Sequence, residues 1–352
     1  MKIKLNELTY ENEELKLSFE FKLPHSLEYE YAYYLYQDNK IVKRVWYQTS
    51  SVKYYQLKEN IVFSGTYQIR LFIKYNKEII FNELTNPISV NINKKSIIPT
   101  TFKSEKIFFN DIPIKYVLQE SKIKSPYLII SFSGLYSTEF QGGSPVYNHI
   151  RTLESLKSNK LFILDSYENQ FCYYVGFGGN KDYERSVISL ITKIANKLDI
   201  PAKNIIATGS SKGGSAALYY SMKYYFGKAI IGAPQIYISK FLNQRANSDS
   251  MRQRYHHLLG ENEHFGKKFW DNLILNQVNL VDRFPEMSFH IGEGDYHYKQ
   301  HLQPLLSVFE QKKIKYELDI KPYNDHNQTG TYFTPFLYNK IQEILNTGDF
   351  KK

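Results

Sequence analysis

The chain is poor in cysteine. Cys172 stands alone among 352 residues, so no intramolecular disulfide and no cysteine-rich zinc site can form. Redox chemistry is therefore not expected. Nowhere does an apolar run approach the about 18 residues that a membrane span needs, and the first 25 residues mix Lys and Glu with apolar types instead of forming an apolar signal core. We expect a cytoplasmic chain, at most peripheral to the inner face of the membrane. Arginine is scarce as well: 45 basic against 35 acidic residues give a net charge of +10, but only eight of the basic residues are Arg. The remainder is lysine spread along the chain. A nucleic-acid surface concentrates basic side chains on one face and favours Arg for bidentate contacts, so we expect no nucleic-acid partner. With 42% hydrophobic and 23% charged residues the chain is too apolar for extended disorder.

What is present falls into two textures. In the first hundred residues Leu15, Leu17, Phe19, Phe21 and Leu23 alternate with Lys16, Ser18, Glu20 and Lys22, the period of a strand with one buried face. Further strands are expected at 29–36, 41–47, 52–57, 67–75 and 88–92, separated by turn-like stretches. About seven short strands without helical period suggest a small immunoglobulin-like β-sandwich over residues 1–98. Its many tyrosines suit half-buried strands, with a sugar-binding platform as the alternative. They fall on both parities, which favours packing. A polar linker is expected over 99–106, followed by an α/β domain over 107–352.

In that second part, apolar runs at 127–132, 161–164, 205–207, 229–231, 289–291 and 316–320 read as strands. They alternate with helical segments near 146–158, 183–198, 213–225, 299–312 and 334–345. Continuous apolar strands interleaved with helices imply a mostly parallel, doubly wound sheet covered on both faces.

One strand, Ile205-Ile206-Ala207-Thr208, runs directly into Gly209-Ser210-Ser211-Lys212-Gly213-Gly214 and then a helix. This is G-x-S-x-G, the strand-turn-helix in which a serine sits at a bend so tight that small residues must flank it. Gly209 and Gly213 meet that need, and Gly214 adds to it. At the helix N-terminus the next amide, that of Lys212, is a candidate oxyanion donor. A serine nucleophile needs an acid and a base, which in this fold follow it in the order acid, His. Gly292-Glu293-Gly294-Asp295 closes one late strand and Asn324-Asp325-His326 follows the next. Asp295, three residues after the strand-ending glycine, is the preferred acid, Glu293 the alternative, and His326 the base. The second oxyanion donor is expected at the amide of Gly134 or Leu135, after the strand ending at Phe132. An anion cradle is the competing reading of the glycine turn, although no P-loop pattern fits it. His297 and His301 read as surface residues, His290 as a core or edge histidine, and Asp165 as a loop cap or site-lining group.

Across residues 208–220 the sequence resembles an α/β-hydrolase branch, the XcbB/CpsF family of capsular polysaccharide biosynthesis. It is also similar to the accessory secretion component that O-acetylates glycans on serine-rich adhesins. The resemblance spans roughly residues 105–346 and is best over 128–135, 165–179 and the glycine turn. It implies a site acting on a bacterial surface glycan, with Ser211 as nucleophile, His326 as base and capsule-assembly proteins as candidate partners. The reading that follows is an esterase or O-acyltransferase with no metal and no resident cofactor, an acyl-CoA being a candidate donor. A non-catalytic glycan-binding scaffold is the alternative.

Overall fold

The computed structural model describes residues 2–11, 14–22, 28–61, 65–91, 104–135, 145–167 and 170–348. The chain divides into two compact units, Met1–Thr100 and Thr101–Lys352. Residues 99–103 of the expected linker lie outside the described residues, and at its far end Lys106 already begins a strand.

The first unit is all β: β1 (Lys2–Leu5), β2 (Thr9–Glu11), β3 (Glu14–Lys22), β4 (Tyr29–Gln37), β5 (Lys40–Ser50), β6 (Tyr54–Asn60), β7 (Gly65–Tyr75), β8 (Glu78–Leu84) and β9 (Ile88–Val90). One sheet has the order β1-β3-β2, with β6 also pairing with β3. The other has the order β5-β4-β7-β8, with β9 also pairing with β7. The period-two pattern explains why they stack. Leu15, Leu17 and Phe19 of β3 point to the same core as Tyr29, Tyr31, Tyr33 and Leu35 of β4 and Tyr67, Ile69, Leu71 and Ile73 of β7. The inward tyrosines are therefore packing residues. Their hydroxyls are satisfied at the margin: Tyr31 donates to Gln48 Oε1 at 2.7 Å and Tyr33 donates to Glu59, which Lys43 pairs at 3.0 Å. Strands β1, β2 and β8 were not anticipated: β1 alternates Ile3 and Leu5 with Lys2 and Lys4 but over only four residues, and β2 has only three residues. The edge strand β8 is exposed at all but one position and has no buried face to encode.

The second unit is built on eight strands: β10 (Lys106–Phe108), β11 (Ile114–Gln119), β12 (Leu128–Phe132), β13 (Asn159–Ile163), β14 (Ile205–Ser210), β15 (Lys228–Gly232), β16 (Glu286–Gly292) and β17 (Glu317–Lys321). Their spatial order is β10-β11-β13-β12-β14-β15-β16-β17. The first two pairings are antiparallel and the rest parallel. Every residue of β12 and β13 is buried. Alternate side chains feed two cores: Leu128, Ile130 and Phe132 enter one, packed by helices Asp182–Lys197, Lys212–Lys223 and Glu263–Leu280, while Ile129 enters the other with Phe333, Leu337 and Ile341 of helix Thr329–Gly348. This is the doubly wound architecture that continuous apolar strands require.

Several elements differ from the sequence reading. The helix expected at 146–158 is reduced to Ile150–Leu153, because β13 begins at Asn159 and the chain must turn before it. The short β10 and β11, and helices Ile238–Asn243, Asp249–Leu259 and Glu263–Leu280, were not anticipated. None of the described helices is long and apolar enough to cross a membrane. The strand order reverses at β12, so the crevice beyond the carboxyl ends of β12 and β14 is the place where a sheet of this kind receives a ligand.

Each unit closes its own hydrophobic cluster. A fragment spanning residues 101–352 is accordingly expected to be soluble and to melt in one cooperative transition. Aggregation of that fragment, or the absence of a thermal transition by circular dichroism, would contradict independent folding.

Candidate active site

β14 ends at Ser210 and helix Lys212–Lys223 begins two residues later, leaving Ser211 alone to reverse the chain direction. Ser211 does so with φ 55° and ψ −122°, a left-handed backbone that costs a non-glycine residue of the order of 1–3 kcal/mol. The cost is offset by close packing. A Cβ on Gly213 would sit 2.2 Å from the Phe132 carbonyl oxygen, and one on Gly209 would sit 2.8 Å from the same oxygen. Glycine at both positions lets the turn press against the end of β12, and the Ser211 amide ties it to Gly232 O of β15 at 2.9 Å. Both glycines thus pack against the carbonyl end of β12.

The residue after the serine is anchored from beneath. Lys212 is wholly buried and its Nζ lies 2.9 Å from Asp165 Oδ2. Asp165 also accepts the backbone amides of Cys172, Tyr173 and Tyr174. Of the two readings of Asp165, the structure supports the loop cap.

Three strand ends converge on one cluster. His326 Nε2 lies 3.2 Å from Ser211 Oγ, and His326 Nδ1 lies 2.8 Å from Asp295 Oδ2. Asp295 is buried and accepts four donors: His326 Nδ1 and the Thr329 hydroxyl (3.4 Å) on Oδ2, and the His297 amide (2.9 Å) and His297 Nδ1 (3.1 Å) on Oδ1. Burial raises its pKa, but the hydrogen bonds from His297 and His326 outweigh this and hold the carboxyl below the usual carboxylate range. Glu293, two residues earlier, is exposed on the turn, and its backbone amide bonds Lys321 O. The imidazole therefore meets Asp295 and not Glu293.

Two histidines expected at the surface are in fact buried, His297 at 0% and His301 at 2% exposure. The π-helical turn Tyr298–Leu302 and the helix after it dock on the sheet and carry His301 inward, where its Nδ1 accepts the amides of Ile236 and Tyr237. His297 stacks on His326 with ring centroids 3.8 Å apart and 25° between planes. His290 is a core histidine, bonded through Nδ1 to Asp319 at 2.7 Å.

No sequence signal pointed to Gln235, which follows β15 in the loop Ala233-Pro234-Gln235. Its Nε2 donates to Ser211 Oγ at 2.8 Å while its Oε1 accepts from the Tyr173 hydroxyl at 2.7 Å, which fixes the amide orientation. Of the candidate oxyanion donors, the Gly134 amide is already donated to Asn148 Oδ1 at 2.8 Å. The other two candidates are Leu135, one residue further along, and Lys212, at the start of its helix. Asp295, His297 and His326 also bring three metal-ligand-type atoms within 4.8 Å of one another. Both imidazole Nδ1 atoms there bond the carboxylate, and that hydrogen bonding accounts for their closeness.

No family model and no curated protein matches the sequence. Among solved structures it is similar to the capsule O-acetyltransferase of Neisseria meningitidis serogroup A, at 20% identity and TM-score 0.54 over 66% of this chain and 94% of that one. It is similar also to a chain of the Gap123 glycosylation-associated complex of Streptococcus agalactiae, at 16% identity and TM-score 0.57 over 96% of this chain and 72% of that one. A third is the fluorophosphonate-binding serine hydrolase F of Staphylococcus aureus, at 13% identity and TM-score 0.52 over 68% and 97%. The second unit has the α/β-hydrolase fold.

Burial lowers the pKa of His297 to about 3 and of His301 to about 4, from an ordinary 6.5. The folded protein thus resists protons that the unfolded chain takes up. Stability is fully present above about pH 6.5 and is lost as the pH falls towards 4, by about 1.4 kcal/mol per histidine per pH unit. Thermal melts from about pH 7.5 down to about pH 4.5 should show a falling midpoint beginning near pH 6.5. A flat profile would mean that these rings are not held neutral.

Proposed function

We propose that this protein transfers an acyl group through an acyl-serine intermediate on Ser211 to a hydroxyl of a bacterial capsular or surface polysaccharide or its precursor, with water as the competing acceptor. The observation that carries the reading is His326, whose two ring nitrogens contact Ser211 Oγ and Asp295 Oδ2. Because an ionised carboxylate only accepts, Asp295 fixes the proton on His326 Nδ1 and leaves the Nε2 lone pair facing the serine hydroxyl. Ser211 Oγ attacks the carbonyl of an ester or thioester as His326 takes its proton. The oxyanion forms beside the amides of Lys212 and Leu135. His326 then protonates the departing group, and afterwards deprotonates the acceptor hydroxyl that releases the acyl chain from Ser211.

The site is open enough for such a cycle, since the His326 side chain is 21% exposed and Ser211 is half-buried. Support for a glycan acceptor comes from the likeness to a capsule O-acetyltransferase and to a glycosylation-associated complex. A histidine-to-alanine mutant of that acetyltransferase is described in complex with CoA, which supports an acyl-CoA as donor. Likeness to serine hydrolases supports the serine as the acylated group.

Ser211→Ala should lower aryl acetate turnover by at least about a thousandfold and remove fluorophosphonate labelling, with the melting temperature nearly unchanged. Turnover persisting above a few per cent, or labelling mapped to another residue, would overturn the assignment. Asp295→Asn, which favours the wrong imidazole tautomer, should lose at least about a hundredfold, and Glu293→Gln less than about twofold. The reverse ranking would move the acid to Glu293.

A further inference from the structure

Only one oxygen of Asp295 serves His326. The other, Oδ1, faces a second histidine two residues along the chain, His297, whose ring is wholly buried and lies flat on the ring of His326. We propose that His297 is a positioning residue: by donating its Nδ1–H to Oδ1 of Asp295, it fixes the plane of the carboxylate so that Oδ2 stays directed at His326 Nδ1. The inference rests on the acyl-serine reading and adds to it a residue that touches neither substrate nor Ser211.

The donor direction follows from chemistry. An ionised carboxylate has no proton to give, so the 3.1 Å contact requires the proton on His297 Nδ1 and leaves its Nε2 as a lone pair. That Nε2 is buried and has no hydrogen-bond partner among the described residues. His301, with ring centroid 5.2 Å away, has the opposite tautomer, because its Nδ1 accepts two backbone amides. Burial keeps His297 neutral, so it acts as a fixed donor and not as a competing base. The His297 backbone amide also reaches Oδ1, at 2.9 Å, but a single donor there leaves the carboxylate free to tilt about it. The Thr329 hydroxyl, 3.4 Å from Oδ2, is a weak second restraint.

Two variants separate the donor from the ring. His297→Phe keeps a flat ring against His326 and lacks the donor; His297→Asn lacks the ring and keeps a donor near the Nδ1 position. With an aryl acetate, His297→Phe should lower kcat about tenfold with KM within about twofold, and His297→Asn should restore most of the loss. Wild-type kcat in His297→Phe, or an equal loss in His297→Asn, would overturn the proposal. Should His297→Phe fail to fold, nitrogen NMR of wild-type protein carrying isotope-labelled histidine decides. The His297 ring should be protonated at Nδ1 and bare at Nε2 near neutral pH, and the opposite tautomer would refute it. Ser211→Ala and His326→Ala serve as controls. If they retain turnover, the acyl-serine reading itself fails; if they lose it while His297→Phe matches wild type, only the role of His297 fails.

Discussion

The contact between the glycine turn and the end of β12 is the constraint on which the rest of the site depends. Ser211 can hold its left-handed backbone only because Gly209 and Gly213 carry no Cβ where the Phe132 carbonyl oxygen lies. The same contact sets β12 beside β14 and so places the loop carrying Leu135 close to the start of helix Lys212–Lys223. Beneath the turn the buried Lys212–Asp165 pair ties that helix start to the loop at 172–174, and Asp165 uses both oxygens to do so. Removing either partner would leave a buried charge uncompensated, which is costly far beyond the value of the pair itself.

A second constraint is electrostatic. Asp295 is a buried carboxylate whose charge is supported by four donors drawn from two loops, the turn after β16 and the segment leading into helix Thr329–Gly348. Two of them, the amide and Nδ1 of His297, come from its own turn, so the carboxylate and this histidine are part of a single local motif, Asp295-Tyr296-His297. His326 is thus braced on one side by the carboxylate and on one face by the His297 ring. Gln235 braces the serine from the opposite direction, through an amide that Tyr173 holds in place. Among the described residues, His326 and Gln235 contact the Ser211 hydroxyl, and each is held in turn by a second side chain.

The sequence by itself determined the class of each unit. Alternation in Leu15–Phe19 requires a half-buried strand, and unbroken apolar runs such as Leu128–Phe132 require a sheet covered on both faces. Ser211, Asp295 and His326, which lie within hydrogen-bond distance in the fold, could be singled out as candidates because each follows a strand end with a local signature: a glycine-flanked serine, a Gly-x-Gly-Asp turn, and a loop before a helix. What only the tertiary structure decided involves residues distant along the chain. That His326 meets Asp295 and not Glu293 follows from the fold of the turn, which buries one carboxylate and exposes the other. The burial of His297 and His301 came from a helix docking on the sheet, and the Gly134 amide was claimed by Asn148, which is distant along the chain. Gln235 reaches Ser211 only because β15 lies beside β14. Periodicity and turn chemistry encode the neighbours of a residue along its own strand or helix. Which side chain fills the space beside it is set by packing between elements, and that information lies in no single segment of the chain.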